Sequence, residues 1–151
     1  EPGCGTGALT VQLATRCDLV LAADAAARAV ALTAASTARL PGVSVRQLDI
    51  TRQWPKGRFD LLVLSEIGYY AADLDMFADR LTGCLREDGV VVLCHWRHPT
   101  LEHLHSAEEV HTRIRRRSGL CLLAGHQEED FLLDVLCAND VSVARADAVL
   151  D

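Results

Sequence analysis

An α/β fold is predicted for this chain: a doubly wound, mostly parallel sheet that ends on an antiparallel strand. Three observations predict it. Short β-rich apolar runs alternate with helix-patterned runs along the chain, a glycine-rich turn precedes the first helical run, and the last two apolar runs are separated only by a polar turn. Alternation of this kind gives parallel strands with helices packed on both faces, whereas two runs joined that closely pair antiparallel.

The elements follow in order. "EPGCGTG" (1–7) is the glycine turn, and Leu9, Leu13 and Ala14 recur at helical spacing, which predicts a helix over 6–15. "DLVLAAD" (18–24) is a short apolar strand closed by a carboxylate, as buried parallel strands are at their functional end. Residues 25–39 are alanine-rich and helix-favouring, stopping before Pro41-Gly42. "VSVRQLD" (43–49) is the next strand, again closed by an aspartate, and "FDLLVLS" (59–65) is the most strand-like stretch in the chain. Asp73 caps a helix with Leu74, Phe77, Leu81 and Leu85 on one face, and the helix is expected to stop near Gly89. "VVVLCHW" (90–96) is a strand, Ser106 with Glu109 forms a capping box, and the helix it starts runs to Ser118-Gly119. "LCLLAGH" (120–126) and "FLLDVLCA" (131–138) complete the sheet. A turn like 1–7 follows a strand, so the chain is taken as one domain, 1–151, whose first strand is truncated.

Composition sets bounds on function. A chain of 151 residues is expected to form one domain that buries roughly 70% of its unfolded surface. The net charge of -6 argues against a nucleic-acid partner, and no apolar run is long enough to span a membrane. "RIRRR" (113–117) is therefore taken as a solvated helix end, with Val110 and Ile114 on the buried side. The six cysteines contain no CxxC pair and sit in apolar strings, which predicts reduced core residues in a cytoplasmic protein.

Glycines at 3, 5 and 7, with Cys4 between the first two, let a loop turn tightly and lie against a ligand at the carboxyl end of the sheet. Alone they are ambiguous, because Gly3, Gly5 and Ala8 also satisfy a dinucleotide fingerprint. The acids discriminate. Glu1 stands where a pyrophosphate would be repelled and a cationic ligand welcomed. Asp24 is placed to accept from ribose hydroxyls, and Asp49 to take an adenine amino group with Ile50 against the ring. Acids closing three successive strands suit S-adenosylmethionine, which carries a sulfonium and an ammonium. A helix cap is the alternative for Asp24, and more strongly for Asp49.

"EPGCGTG", "AAD", "LDI" and "FDLLVLSE", in this order, resemble class I S-adenosylmethionine-dependent methyltransferases from residue 1 to about 138. Within that class "LSEIGYY" (64–70), "CHWRHP" (94–99) and "DFLLDV" (130–135) are similar to the nodulation protein S family. That resemblance implies N-methylation of a small-molecule or amino-sugar acceptor such as a deacetylated chitooligosaccharide. Set against the family's pattern, the chain is expected to start after most of the first strand and the N-terminal helices. Other readings carried forward are an NAD(P)-dependent oxidoreductase and a non-catalytic adenosyl-ligand module.

Methyl transfer is an in-line displacement whose catalysis is largely positioning, and an amine must be neutral to attack. Glu66, after the fourth expected strand, is the first candidate to grip an amine, with Ser65 and Tyr69 or Tyr70 lining the approach. Electron-rich tyrosine faces also suit a sulfonium. "HWRHPTLEHLH" (95–105) holds four of the six histidines, of which His95 and His98 are candidates for handling a proton. No cysteine or acid pattern completes a metal set there, so no metal is expected. His111 and His126 read as incidental. The sequence leaves the oligomeric state undefined.

Overall fold

A computed structural model describes residues 1–138. The stretch 139–151 of the expected domain lies outside the described residues. The chain divides into two compact units, Glu1–Pro55 and Lys56 onward.

In the first unit β1 (Val20–Asp24) pairs in parallel with β2 (Val43–Gln47), from Val20↔Val43 to Asp24↔Gln47. On the other side of β1 the backbone of residues 1–4 runs parallel to it. Pro2 bridges Ala23, the Ala23 amide donates to Glu1 O at 2.9 Å, and the Cys4 amide donates to Ala23 O at 3.0 Å. The glycine turn thus leaves an extended, strand-paired segment, as its sequence predicts. Two helices accompany this pair, α1 (Ala8–Leu13) and α2 (Ala27–Thr37). The first is shorter than predicted at both ends. Gly7, with φ 84°, is its N-terminal boundary, so Thr6 belongs to the loop, and Ala14 closes it.

In the second unit β3 (Phe59–Ser65), β4 (Leu85–Trp96), β5 (Cys121–Gln127) and β6 (Phe131–Cys137) form one sheet in the order β3-β4-β6-β5. β3 and β4 are parallel, and β6 is antiparallel to both of its neighbours. The α/β class with a late antiparallel strand is borne out. The hydrogen-bonded strands fall into two sheets, one in each unit, where one was expected.

β4 starts earlier than predicted, and Gly89 has a different purpose. The helix after Asp73, α3 (Leu74–Gly83), ends at Cys84 and the chain enters β4 at once. The pairing with β3 is irregular between Phe59 and Leu61. A Cβ on Gly89 would lie 2.7 Å from Leu85 Cδ1 and 3.0 Å from Phe59 O. Gly89 therefore relieves crowding at a strand irregularity and is not a helix stop.

Asp73 accepts the Asp75 and Met76 amides at the start of α3. Helix α4 (Ala107–Ser118) carries the predicted capping box, Glu109 N to Ser106 Oγ at 3.2 Å and Ser106 N to Glu109 Oε2 at 2.8 Å. Its buried face, Val110, His111 and Ile114, packs where Val91, Leu93 and Leu136 are fully covered. Its arginines are partly tied to α3, Arg113 to Asp75 at 3.2 Å and Arg117 to Asp79 at 2.7 Å. These are exposed pairs of small energetic weight. No disulfide joins the six cysteines, and no helix among the described residues is long and apolar enough to cross a membrane.

Removing the Ser106 hydroxyl orphans a helix N-terminal amide. Ser106→Ala should therefore lower unfolding stability by about 1 kcal/mol, read from the urea midpoint at constant m-value.

Candidate active site

The glycine loop of the first unit is held in place by its own polar groups. Gly3, Gly5 and Gly7 have φ of 74°, 56° and 84°, so all three use the left-handed region closed to most side chains. For Gly7 a second reason is internal packing, because a Cβ there would lie 2.5 Å from Ser36 Oγ and 3.1 Å from Thr33 Cα. At Gly5 the equivalent space is open, with no atom within 4 Å.

The loop was expected to lie against a ligand, yet three of its amides are turned to acceptors of the protein itself. Cys4 N donates to Ala23 O at 3.0 Å, Gly5 N to Asp24 Oδ2 at 3.0 Å, and Gly7 N to Cys4 O at 2.9 Å. Hydroxyls of α2 cover two loop carbonyls, Thr33 Oγ1 to Gly5 O at 3.1 Å and Ser36 Oγ to Thr6 O at 3.3 Å. Cys4 itself is buried, and burial pushes its thiol pKa up.

The acids keep acceptor capacity. Asp24 binds Gly5 N through Oδ2 and the Ala26 amide through Oδ1 at 2.9 Å, which leaves each oxygen a second lone pair. Ala26 precedes α2, so this contact forms a turn rather than capping the first helical turn. Glu1 is half-buried, and its hydrogen-bond donor among the described residues is Thr10 Oγ1 at 2.5 Å. Burial raises the Glu1 carboxyl above its usual range, partly offset by that hydroxyl. A desolvated carboxylate with one donor gains most from a cation.

Asp49 lies past the end of β2. Its Oδ1 accepts Thr51 N at 3.0 Å and Thr51 Oγ1 at 2.6 Å, and Arg52 Nε lies 3.4 Å from Oδ2. Asp49 therefore closes a turn, and no helix follows for it to cap. Ile50 is only 4% exposed and contributes to the core.

In the second unit the chain leaves β3 at Ser65 and turns sharply. Glu66 has φ 55°, the one non-glycine residue with positive φ among those described. Its amide donates to Cys94 O at 2.9 Å, and its Oε1 accepts Trp96 N at 2.7 Å. Tyr69 Oη lies 2.7 Å from Trp96 O and 3.2 Å from Glu66 Oε2. A phenol has one proton. It serves the nearer carbonyl best, and Glu66 Oε2 is left short of a donor. Burial, followed by the Glu66 charge, raises the Tyr69 pKa far above the phenol range, so the group stays protonated. The ring is buried, stacks on His103 at 4.0 Å and meets His95 edge-on at 4.9 Å. Tyr70 and Trp96 remain exposed.

The histidines divide differently from expectation. His98 is exposed and contacts Asp130 Oδ1 at 2.9 Å. His95 was a candidate for handling a proton, but it has no exposed surface and both ring nitrogens are committed. Its Nε2 accepts Gly68 N at 3.1 Å, and its Nδ1 lies 3.0 Å from His111 Nε2. His111, read as incidental, is buried too, and its Nδ1 meets Asp134 Oδ2 at 2.7 Å. Burial, with help from the neighbouring His111, pushes His95 down to about 3.

Against this geometry, the sequence profile described as the methyltransferase domain matches residues 1–93, more than half of the chain. The chain belongs to the methyltransferase domain family. Its likeness to class I S-adenosylmethionine-dependent methyltransferases is thereby borne out. The domain is 34% identical over 74 residues to nodulation protein S of Bradyrhizobium diazoefficiens, a match covering 49% of this chain and 35% of that protein. Among solved structures it is similar to a candidate methyltransferase from Pseudomonas syringae, with 39% identity and a TM-score of 0.77 over 89% of this chain and 82% of that one. The N-methyltransferase NodS from Bradyrhizobium japonicum WM9 gives 28% identity and a TM-score of 0.78, with the same coverage of both chains. NodS in complex with S-adenosylhomocysteine gives 26% and 0.77, covering 89% of this chain and 74% of that one.

Among the described residues of the methyltransferase domain no cluster of His, Cys, Asp or Glu has a metal-holding arrangement. His111 and Asp134 are the buried groups that sequence reasoning missed. Both carried a signal: His111 sits three residues before Ile114 on the apolar face of α4, and Asp134 is the lone acid inside "FLLDVLC".

A buried neutral histidine binds its proton less readily folded than unfolded. For His95, depressed from 6.5 to about 3, stability is fully present above pH 6.5 and falls as pH drops toward the folded value. Urea midpoints should therefore decline between pH 6.5 and 4.5, with a slope contribution of up to about 1.4 kcal/mol per pH unit that His95→Gln flattens.

Proposed function

We propose that the protein uses S-adenosylmethionine to methylate the free amine of a small molecule, with an amino sugar or its oligosaccharide as the favoured class. The observation that carries this reading is the polarity of the acids and amides. The amides of Cys4, Gly5 and Gly7 donate inward, so three of the loop's own donors are already engaged and fewer are left for a pyrophosphate. Glu1 and Asp24 hold spare acceptor capacity beside it. That arrangement disfavours the oxidoreductase reading, since a carboxylate already occupies the Gly5 amide. It supports a ligand with an ammonium, a sulfonium and ribose hydroxyls.

In this reading the loop backbone at Gly3, Gly5 and Gly7 lies against the methionine part and Glu1 receives its ammonium. Cys4 serves by fixing the loop. Asp24 accepts from the ribose. Asp49 offers the lone pairs that Thr51 and Arg52 leave, Ile50 supports that turn from the core, and Ser65 holds the end of β3. Bound S-adenosylmethionine supplies an electrophilic methyl group on a sulfonium. The chain's own contribution on the acceptor side is to bind and orient. Glu66 Oε2, short of a donor, accepts an N–H of the incoming neutral amine, which offsets the positive charge that develops on nitrogen as the N–C bond forms and points the nitrogen lone pair away from the carboxylate. Tyr69 stays protonated and holds Glu66 in place rather than removing a proton. We assign the proton of the methylated amine to His98, which is exposed with Asp130 on its ring. The likeness to NodS, named as an N-methyltransferase, supports an amine acceptor.

Two measurements test this. Asp24→Ala should weaken S-adenosylhomocysteine binding by about tenfold or more in calorimetry, since it removes hydrogen bonds to a charged acceptor. Wild-type protein that binds NAD(H) and ignores S-adenosylhomocysteine would overturn the cofactor assignment. With a partially deacetylated chitooligosaccharide as acceptor, Glu66→Gln should lower kcat/KM by about 100-fold with cofactor affinity within about twofold of wild type. A cofactor-binding protein that turns over no amine in a broad panel would instead be a non-catalytic adenosyl-ligand module.

A further inference from the structure

The buried chain Gly68–His95–His111–Asp134 crosses four segments: the turn after β3, then β4, α4 and β6. Its polarity follows from one fixed donor. A backbone amide only donates, so the Gly68 N–H requires His95 Nε2 to be an acceptor. His95 then carries its proton on Nδ1 and donates it to His111 Nε2. His111 in turn carries its proton on Nδ1 and donates to the Asp134 carboxylate. Every donor in the chain meets one acceptor, with both imidazoles neutral.

The Gly68 end is packed as tightly as it is bonded. A Cβ on Gly68 would lie 2.4 Å from Val110 Cγ1 and 2.9 Å from His95 Nε2. The turn therefore rests directly on α4 and on the His95 ring. One residue before the turn is Ile67, and before that the positive-φ Glu66. One residue after it is Tyr69, whose hydroxyl lies beside Glu66 Oε2.

We infer that His111 and Asp134 are positioning residues for the acceptor side: by setting the polarity of this buried hydrogen-bond chain they pin the Gly68 amide and so hold the Glu66–Tyr69 turn in its strained conformation. Without an acceptor at position 111, His95 keeps a buried N–H with no partner. The alternative is to move the proton to Nε2, where it faces the Gly68 N–H donor to donor and pushes the turn off its seat. Either result loosens Glu66 without touching the glycine loop's own bonds.

The kinetic arm of the test rests on the amine-acceptor reading, and the spectroscopic arm does not. In 15N-histidine-labelled protein, His95 and His111 should both show the Nδ1–H tautomer at pH 7.5. His111→Leu should speed amide hydrogen exchange at Gly68 by about tenfold or more, the size of effect a lost buried hydrogen bond gives. It should raise KM for a partially deacetylated chitooligosaccharide at least about fivefold while S-adenosylhomocysteine affinity stays within about twofold. His111→Gln can accept from His95 through Oε1 and donate to Asp134 through Nε2, so it should restore both Gly68 protection and KM. An Nε2–H tautomer at His95, unchanged Gly68 exchange in His111→Leu, or a His111→Gln protein as impaired as His111→Leu would each overturn the inference. If His111→Leu fails to fold, the wild-type tautomers and His111→Gln still decide it. If wild type methylates no amine, the functional reading fails and the tautomers and exchange rates alone decide the positioning role.

Discussion

Prior commitment of hydrogen-bond donors is common to the glycine loop of the first unit and to the turn after β3 in the second. In the glycine loop the Cys4, Gly5 and Gly7 amides are taken by Ala23 O, Asp24 Oδ2 and Cys4 O. At the end of β3 the Trp96 amide is taken by Glu66 Oε1 and the Tyr69 proton is drawn to Trp96 O. What is left over in each place is carboxylate lone pairs. A ligand that brings acceptors, such as a phosphate, meets like charge and finds the Cys4, Gly5 and Gly7 amides already engaged. A ligand that brings N–H groups or positive charge meets complementary groups already held in position, and little reorganisation is required of them. The same rule therefore underlies both halves of the proposal, a cationic cofactor for the first unit and an amine for the second.

Much of the frame was readable because local rules and tertiary packing agree. β3 spans the residues its composition marks, and the Ser106–Glu109 box starts α4 where the spacing places it. The errors occur where a residue's local signal was overridden by a neighbour distant in sequence. Gly89 looks like a helix stop because glycine commonly ends helices, yet its lack of a Cβ is used against Leu85 and Phe59. Asp49 and Asp24 read alike at the ends of strands, but Thr51 and Arg52 draw Asp49 into a turn whereas Asp24 reaches across to the loop.

The histidines show the same limit from another side. Polar residues in an irregular, histidine-rich stretch suggest solvent, and for His98 that is right. His95 is the last inward-facing position of β4, in step with Val91 and Leu93, and strand alternation decides its fate. Burying an imidazole is costly unless both nitrogens are partnered. No single segment of sequence shows that partnership, because its members come from β4, α4, β6 and a turn. Sequence periodicity identifies each as inward-facing, and only assembly reveals that they meet.

Glu66 joins these threads. A left-handed backbone at a residue with a Cβ costs on the order of 1–2 kcal/mol, which glycine would avoid. Glycine there would also remove the carboxylate. The conformation is stabilised instead by the surroundings: Cys94 O accepts the Glu66 amide, Trp96 N donates to its side chain, and the Gly68 turn behind it is seated on His95 and Val110. These contacts come from β4 and α4, elements that would pack on one another without them. Strain kept at one residue by so many independent contacts is economical only if the orientation it gives has a use. What it gives is a carboxylate turned back across the end of β3, with one oxygen fixed and the other awaiting a donor.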